Sequence, residues 1–357
     1  MYPNLGFFFE HVLGIKIPFL SYAQTFGFFV AIAFLIGAWV ISLELKRKAA
    51  LGLVKPQEII NKKTGKKELI FPHQRVSDIV FIAAIAGFIG AKVFNALETW
   101  DDFIVDPIGS LFSRSGLTFY GGLIFATIAL YVFSRKIKLS FKQLCDAAAP
   151  ALILAYGIGR LGCHFAGDGD WGVYNSAYIS QQDGTLIEAT LNDYEIVAQK
   201  NAGIMEHFEG KIPNIYYPAN GLPRWLIAMN YANNVNNDGI PINGENKEYN
   251  YVLPVAVFPT PIWEAIICIF ILFPILWSLR KKFNAPLQLF GLYLFLNGLE
   301  RFLVEKVRVN TRIDLGFIQP TQAEVISTLL MITGIALLIF LHKKKDNNSP
   351  DLKTIEN

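Results

Sequence analysis

Long apolar runs separated by short charged stretches dominate this chain. Each run approaches roughly 20 residues, the length that crosses the hydrocarbon core of a bilayer. They predict seven spans, at about 18–44, 77–97, 117–135, 141–162, 262–279, 287–307 and 323–342. Lys and Arg cluster after every odd-numbered span: Lys46, Arg47 and Lys48 after the first, Arg135, Lys136 and Lys138 after the third. Arg280, Lys281 and Lys282 follow the fifth, and Lys343, Lys344 and Lys345 the seventh. The intervening loops are acidic or mixed, as at Glu98, Asp101, Asp102 and Asp106. Basic residues mark the cytoplasmic side, so the N-terminus is expected outside and the C-terminus inside.

Between the spans lie two soluble pieces. On the inside, residues 58–71 alternate as a β-hairpin turning near Thr64-Gly65. On the outside, the polar stretch rich in Asn, Asp, Gly and Tyr is too long for a plain connection and predicts a small folded head. The fold class is therefore an all-α polytopic membrane protein of about seven transmembrane helices with a small periplasmic head domain. Its organisation reads as 1–162 for helices one to four with the cytoplasmic hairpin at about 46–76, then 163–261 for the signature loop and head insert. Helices five to seven take 262–342, and 343–357 forms a disordered polar tail.

Composition agrees. Of 357 residues, 53% are hydrophobic and 17% charged, with a mean hydropathy of +0.37; a soluble domain carries nearer a quarter charged residues. The net charge of +3 says little alone, because where the charges lie matters more, and no nucleic-acid partner is expected. Cys145, Cys163 and Cys268 are an odd set, two of them inside apolar runs, so no disulfide framework is expected. The first run lacks a basic leader and a small-residue cleavage site and reads as a retained helix. No internal repeat is visible, which weighs against an inverted-repeat transporter.

With that topology, four helices deliver polar residues to one outer depth. Arg160 ends the fourth span, with Asp168 and Asp170 just beyond. Tyr120, Gly121 and Gly122 open the third, Glu264 opens the fifth, and Glu300, Arg301, Glu305 and Arg308 close the sixth. Arg301, Glu305 and Arg308, spaced four and three apart, share one helix face. Charges in a span must face protein or a wet cavity. Either they form a buried ion-pair network that only fixes packing, or they bind an anion; guanidinium groups grip phosphate through paired hydrogen bonds. Gly121 and Gly122 allow a backbone to pass close to another helix or a headgroup. Lys92, after Gly90-Ala91 in span two, reads as a snorkelling lysine. Cys163-His164 has no second pair at ligand spacing, so neither a metal nor another cofactor is expected.

Taken together these residues resemble the bacterial prolipoprotein diacylglyceryl transferases. The family signature, close to G-R-x-G-N-F-x-N-x-E-x-x-G, is similar to the stretch from Gly159-Arg160-Leu161-Gly162 through Asp168-Gly169-Asp170-Trp171-Gly172. Cys163-His164 stands for Asn-Phe, and the acidic segment is one residue longer. The H-G-G-L-[IV] motif resembles Tyr120-Gly121-Gly122-Leu123-Ile124, with tyrosine in place of histidine. R-F-x-[VI]-E-x-x-R matches Arg301 to Arg308, P-x-x-x-Y-E looks like Pro259 to Glu264, and Phe26-Gly27 falls at the family's Tyr-Gly.

The resemblance implies a multi-pass inner-membrane enzyme. Its reaction would move the diacylglyceryl group from phosphatidylglycerol to the lipobox cysteine of a preprolipoprotein signal peptide, releasing glycerol phosphate. It also implies roles for the site residues. Arg160 and Arg301 stabilise the departing phosphate, Glu305 positions an arginine, and Arg308, Glu264, Gly121 and Gly122 help bind substrate. Tyrosine is a poor base near neutral pH, so His164 is expected to take the thiol proton, with Asp168 or Asp170, or the positive field alone, as alternatives, and Tyr120 hydrogen-bonding the headgroup. A transporter or a non-catalytic phospholipid-binding scaffold built on the same arginines is the alternative.

Overall fold

The computed structural model describes residues 1–60, 66–112, 118–207, 216–283, 285–308, 310, 313, 314, 316 and 318–347. Long helices stand at all seven positions where apolar runs predicted them. They are α2 (Thr25–Ala50), α3 (Val76–Glu98), α6 (Phe119–Lys136), α7 (Phe141–Ala166), α11 (Thr260–Leu279), α12 (Gln288–Glu305) and α13 (Gln322–Asn347). Short α-helices α1 (Leu5–Leu13), α4 (Trp100–Val105), α5 (Pro107–Phe112), α8 (Leu191–Lys200), α9 (Ala202–His207) and α10 (Arg224–Ile227) are also present among the described residues.

Among the described residues, five helical stretches are long and apolar enough to cross a bilayer: Thr25–Ala50, Pro72–Glu98, Phe141–Ala166, Thr260–Leu279 and Gln322–Phe340. Side chains such as Leu35, Phe81, Phe270 and Phe340 stand well exposed on them, as acyl-chain contacts require. α12 is less apolar because it carries Glu300, Arg301 and Glu305. This is a mostly helical, multi-span membrane protein with a soluble head.

Two details differ from expectation. The first long helix starts at Thr25 rather than near residue 18. Pro18–Tyr22 form a 3-10 turn, and Asn4 and Gln24 pair as an antiparallel bridge, Leu5 N donating to Ala23 O at 2.9 Å. That pairing holds the backbone extended until the helix can begin. Lys92 does not snorkel: it is buried, with Nζ 3.5 Å from the Ser110 carbonyl oxygen.

Packing divides the chain into two units. One holds Phe34–Ala151 and Ala285–Leu287. In it, strands β1 (Gln57–Ile60) and β2 (Lys67–Ile70) pair antiparallel from Gln57↔Ile70 to Ile60↔Lys67; the turn expected near Thr64-Gly65 lies outside the described residues. Here α3 packs along α6 so closely that a Cβ on Gly121 would collide with the Gly90 carbonyl oxygen, the close approach that only a missing side chain permits. At the other end of this unit, buried Lys48 donates to Gln143 Oε1 at 2.6 Å, and Leu287 N donates to Asp146 Oδ2 at 2.7 Å.

The other unit holds Met1–Ala33, Leu152–Asn284 and the chain from Gln288 onward. Its helices α12 and α13 form an antiparallel pair. The head is built on a three-stranded antiparallel sheet ordered β4 (Leu186–Glu188), β3 (Tyr174–Ser180), β7 (Val255–Val257), with a small pair of β5 (Ile240–Pro241) and β6 (Tyr251–Val252) beside it. Every β3 residue from Tyr174 to Ile179 is buried, and Trp171, Tyr194, Met205, Tyr231 and Leu253 fill the core around it. The expected tail is helical as far as Asn347, and residues 348–357 lie outside the described part.

Candidate active site

Three helix ends and one loop bring the site together, all in the unit that carries the head. Arg160 lies in the last two turns of α7, Glu264 near the start of α11, Arg301 and Glu305 in the last turn and a half of α12. Each of these helices meets the head at that end. The loop after α7 is fixed by backbone bonds: Gly172 N donates to Phe258 O and Val173 N to Val307 O, both at 2.8 Å. Thr260 Oγ1 donates to the Asp170 carbonyl oxygen at 2.9 Å. These bonds aim Asp170 at the arginines.

Glu264 is the hub. Its Oε2 lies 3.0 Å from Arg160 Nε and 3.9 Å from Arg308 Nη1; its Oε1 accepts from Arg301 Nη1 at 3.2 Å and from the Tyr156 hydroxyl at 2.8 Å. Asp170 bridges Arg160 Nη1 and Arg308 Nη2 through its two oxygens. Arg301 Nη2 lies 2.9 Å from Glu305 Oε2, and Asn310 holds the other Glu305 oxygen. Three guanidiniums are thus balanced by three carboxylates, the condition for keeping so many charges out of water.

The cluster is not sealed. The Glu264 side chain has no exposure, whereas Asp170 retains 33% and Arg301 22%.

Asp170 and Asp168 differ in kind. Burial pushes the Asp170 carboxyl up, but the Arg160 and Arg308 guanidiniums outweigh it and hold the group at about 2. Asp168, half-buried like Asp170, has its carboxyl pushed up, first by desolvation and then by the charge of Asp170, and its Oδ1 has no hydrogen-bond partner among the described residues. The Cys163 sulfur and one oxygen from each aspartate lie within 4.8 Å of one another. Two guanidiniums already neutralise Asp170, so this trio is not arranged as a cation site. Cys163 Sγ stands 3.9 Å from Arg160 Nη1. His164 is buried and turned toward the head, its Nδ1 3.2 Å from the Tyr231 hydroxyl.

The structure therefore brings Arg160, Asp168, Asp170, Glu264, Arg301, Glu305 and Arg308 together. It corrects one detail: Arg308 does not share a helix face with Arg301 and Glu305. α12 ends at Glu305, and Arg308 pairs in an antiparallel bridge with Gly172, because the signature loop supplies the backbone partner that the next helical turn would have used. Tyr120, Gly121 and Gly122 lie in the other unit, at the start of α6. The sequence reading missed Tyr156, whose ring also lies 5.0 Å from the Arg160 guanidinium carbon. Its signal was present, four residues before Arg160 on an apolar helix. Glu300 is buried with no hydrogen-bond partner to either carboxylate oxygen among the described residues.

Residues 15–340 match the family model described as prolipoprotein diacylglyceryl transferase. Similar curated proteins carry the name phosphatidylglycerol–prolipoprotein diacylglyceryl transferase. One from Leptospira interrogans is 26% identical over 80% of this chain and 72% of its own length. Another from Xanthomonas oryzae is 28% identical over 73% and 74%, and one from Dehalococcoides mccartyi is 27% identical over 76% and 80%.

Proposed function

The chain belongs to the prolipoprotein diacylglyceryl transferase family, and we propose that its arginine cluster is the anion clamp of that family's reaction. The protein is a phosphatidylglycerol–prolipoprotein diacylglyceryl transferase, an enzyme of lipoprotein biosynthesis. Its substrates are phosphatidylglycerol and a preprolipoprotein signal peptide bearing a lipobox cysteine. It sits in the bacterial inner membrane with seven spans, the N-terminus and head outside and the C-terminus inside, divided as 1–162, 163–261, 262–342 and 343–357.

The lipobox thiolate attacks the glycerol carbon that carries the phosphate ester. A carbon–sulfur bond forms, the carbon–oxygen bond breaks, and glycerol phosphate leaves with the electron pair. Charge grows on the departing phosphate, so cations fixed around it favour the transition state over the bound lipid. Arg160 and Arg301 fill this role. The observation that carries it is the Glu264 hub, which orients both guanidiniums from one buried carboxylate. Glu305 positions Arg301, and Arg308 holds Asp170.

Asp168 takes the thiol proton. Its raised carboxyl and unpartnered oxygen suit a base, whereas Asp170 is committed to two arginines and His164 to Tyr231. Tyr120, Gly121 and Gly122 keep the headgroup-binding role that the resemblance gives them. The test is product analysis with purified protein, phosphatidylglycerol and a lipobox peptide. A thioether-linked diacylglyceryl peptide with an equivalent of glycerol phosphate supports the reading, and folded protein that binds the lipid without turnover overturns it.

A further inference from the structure

The head reaches back to the signature loop through one strained residue. Tyr231 is fully buried and has φ +45°, a backbone region that bulky side chains rarely enter. Bonds on either side hold it there: Asn230 O accepts from Leu253 N at 3.0 Å, and Asn233 N donates to Tyr251 O at 2.8 Å. The Asn234 side chain closes the turn, its Nδ2 donating to the Tyr231 carbonyl oxygen at 3.2 Å. Strain that the surroundings fix from several sides is a feature of functional sites.

The Tyr231 ring stands between the two ends of the segment that carries the aspartates. At one end its hydroxyl lies 3.2 Å from His164 Nδ1, in the last turn of α7, and the two rings meet edge to face at 5.7 Å. At the other end the Trp171 ring lies 4.9 Å away, centroid to centroid. The residues that follow Tyr231 add a backbone clasp. Val235 N donates to the Ala166 carbonyl oxygen at 3.0 Å, satisfying one of the carbonyls that a helix end leaves open. Gly167 turns with φ +67°, and a Cβ there would come within 2.9 Å of Asn234 Cβ.

Asp170 and Asp168 depend on this clasp unequally. Asp170 is tied through its own side chain to Arg160 and Arg308. No ion pair ties Asp168 to an arginine among the described residues, and its Oδ1 has no hydrogen-bond partner there. The placement of Asp168 therefore follows from the backbone around it, which Tyr231, Asn234 and Val235 hold.

We propose that Tyr231 is a positioning residue for the transferase reaction: its ring holds the signature loop, and Asp168 with it, in place for the incoming thiol. The inference rests on the reading of Asp168 as the base. It makes the head part of the catalytic framework, because a displacement of about 1 Å at a reacting group costs about 10²-fold in rate.

The test compares Tyr231→Phe, which keeps the ring, with Tyr231→Ala, using the full chain in detergent with phosphatidylglycerol and a lipobox peptide. Tyr231→Phe should stay near wild type. Tyr231→Ala should lower kcat about 10²-fold while lipid affinity holds, because the arginines keep their partners. In an impaired Asp168→Asn background the alanine should cost little more, since the group it misplaces is gone. A readout independent of turnover is the rate at which a thiol reagent modifies buried Cys163, followed by peptide mass. That rate should rise in Tyr231→Ala and not in Tyr231→Phe. Tyr231→Leu keeps the core filled without the ring and carries the test if the alanine variant does not fold. Wild-type kcat in the variant lacking the ring, an equal loss of lipid affinity, or a Tyr231→Phe loss as large as that of Tyr231→Ala would each overturn the proposal. So would the full loss repeated on top of an impaired Asp168→Asn, or unchanged labelling of Cys163. If Asp168→Asn alone stays fully active while Tyr231→Ala still slows turnover and exposes Cys163, the base assignment fails and the hold of Tyr231 on the loop stands.

Discussion

Arg160 Nε lies 3.0 Å from Glu264 Oε2, which ties the end of α7 to the start of α11 through a carboxylate that solvent does not reach. The same carboxylate holds Arg301 at 3.2 Å. One buried anion thus sets the spacing of two cations from two other helices. Removing it would leave guanidiniums facing one another in a low-dielectric site, where unpaired charge is most costly.

Glu264→Gln and Glu300→Gln should therefore act in opposite senses, although both remove a buried carboxyl. Breaking a buried ion pair costs about 3–5 kcal/mol, so Glu264→Gln should lower the thermal unfolding midpoint in detergent markedly. Glu300 makes no hydrogen bond among the described residues, and its amide should leave the midpoint unchanged or raise it. Equal losses in the two variants would show that Glu264 is not the hub.

Asp170→Asn should alter the acid side of the stability profile. The folded carboxyl is held at about 2, below the ordinary 3.8. A group depressed in this way contributes stability above its unfolded value and loses it as pH falls from about 4 toward 2. Unfolding midpoints measured between about pH 7 and pH 3 should show the wild type's advantage over Asp170→Asn shrinking toward the acid end. A constant difference across that range would contradict the paired state of Asp170.

Asp168→Asn should reduce kcat by about 10²–10⁴-fold, the usual contribution of a positioned base, with little change in KM for the lipid. The acid limb of the pH–rate profile should vanish with it. His164→Ala should stay within a few-fold of wild type in kcat, because the ring is engaged with Tyr231. The reverse pattern would return the proton to His164.

The helices were legible because a run of apolar residues needs no partner to be recognised. The start of α2 was not, since the bridge between Asn4 and Gln24 joins residues twenty apart. Within the site, the arginines stood out by being charged in apolar runs, and the Arg301–Glu305 pair followed from helical spacing. Arg308 left that helix because its backbone pairs with Gly172, a tertiary event that no local period reports. Glu264 looked like one more polar residue at a helix start, and its four partners come from three other segments of the chain. The head's sheet was hidden for a related reason: β4 and β7 are three residues each, too short to display an alternation.

The most direct measurement is single-turnover chemistry at saturating phosphatidylglycerol with a lipobox peptide, comparing wild type with Arg160→Ala and Arg301→Ala, and lipid binding measured in parallel. Loss of one fixed donor to a developing oxyanion costs about 10²–10³-fold in rate. Each variant should lose that much in the chemical step while lipid affinity falls far less, since the cations act mainly on the charge that grows as glycerol phosphate leaves. Single-turnover rates near wild type in either variant, or losses confined to lipid binding, would contradict the clamp.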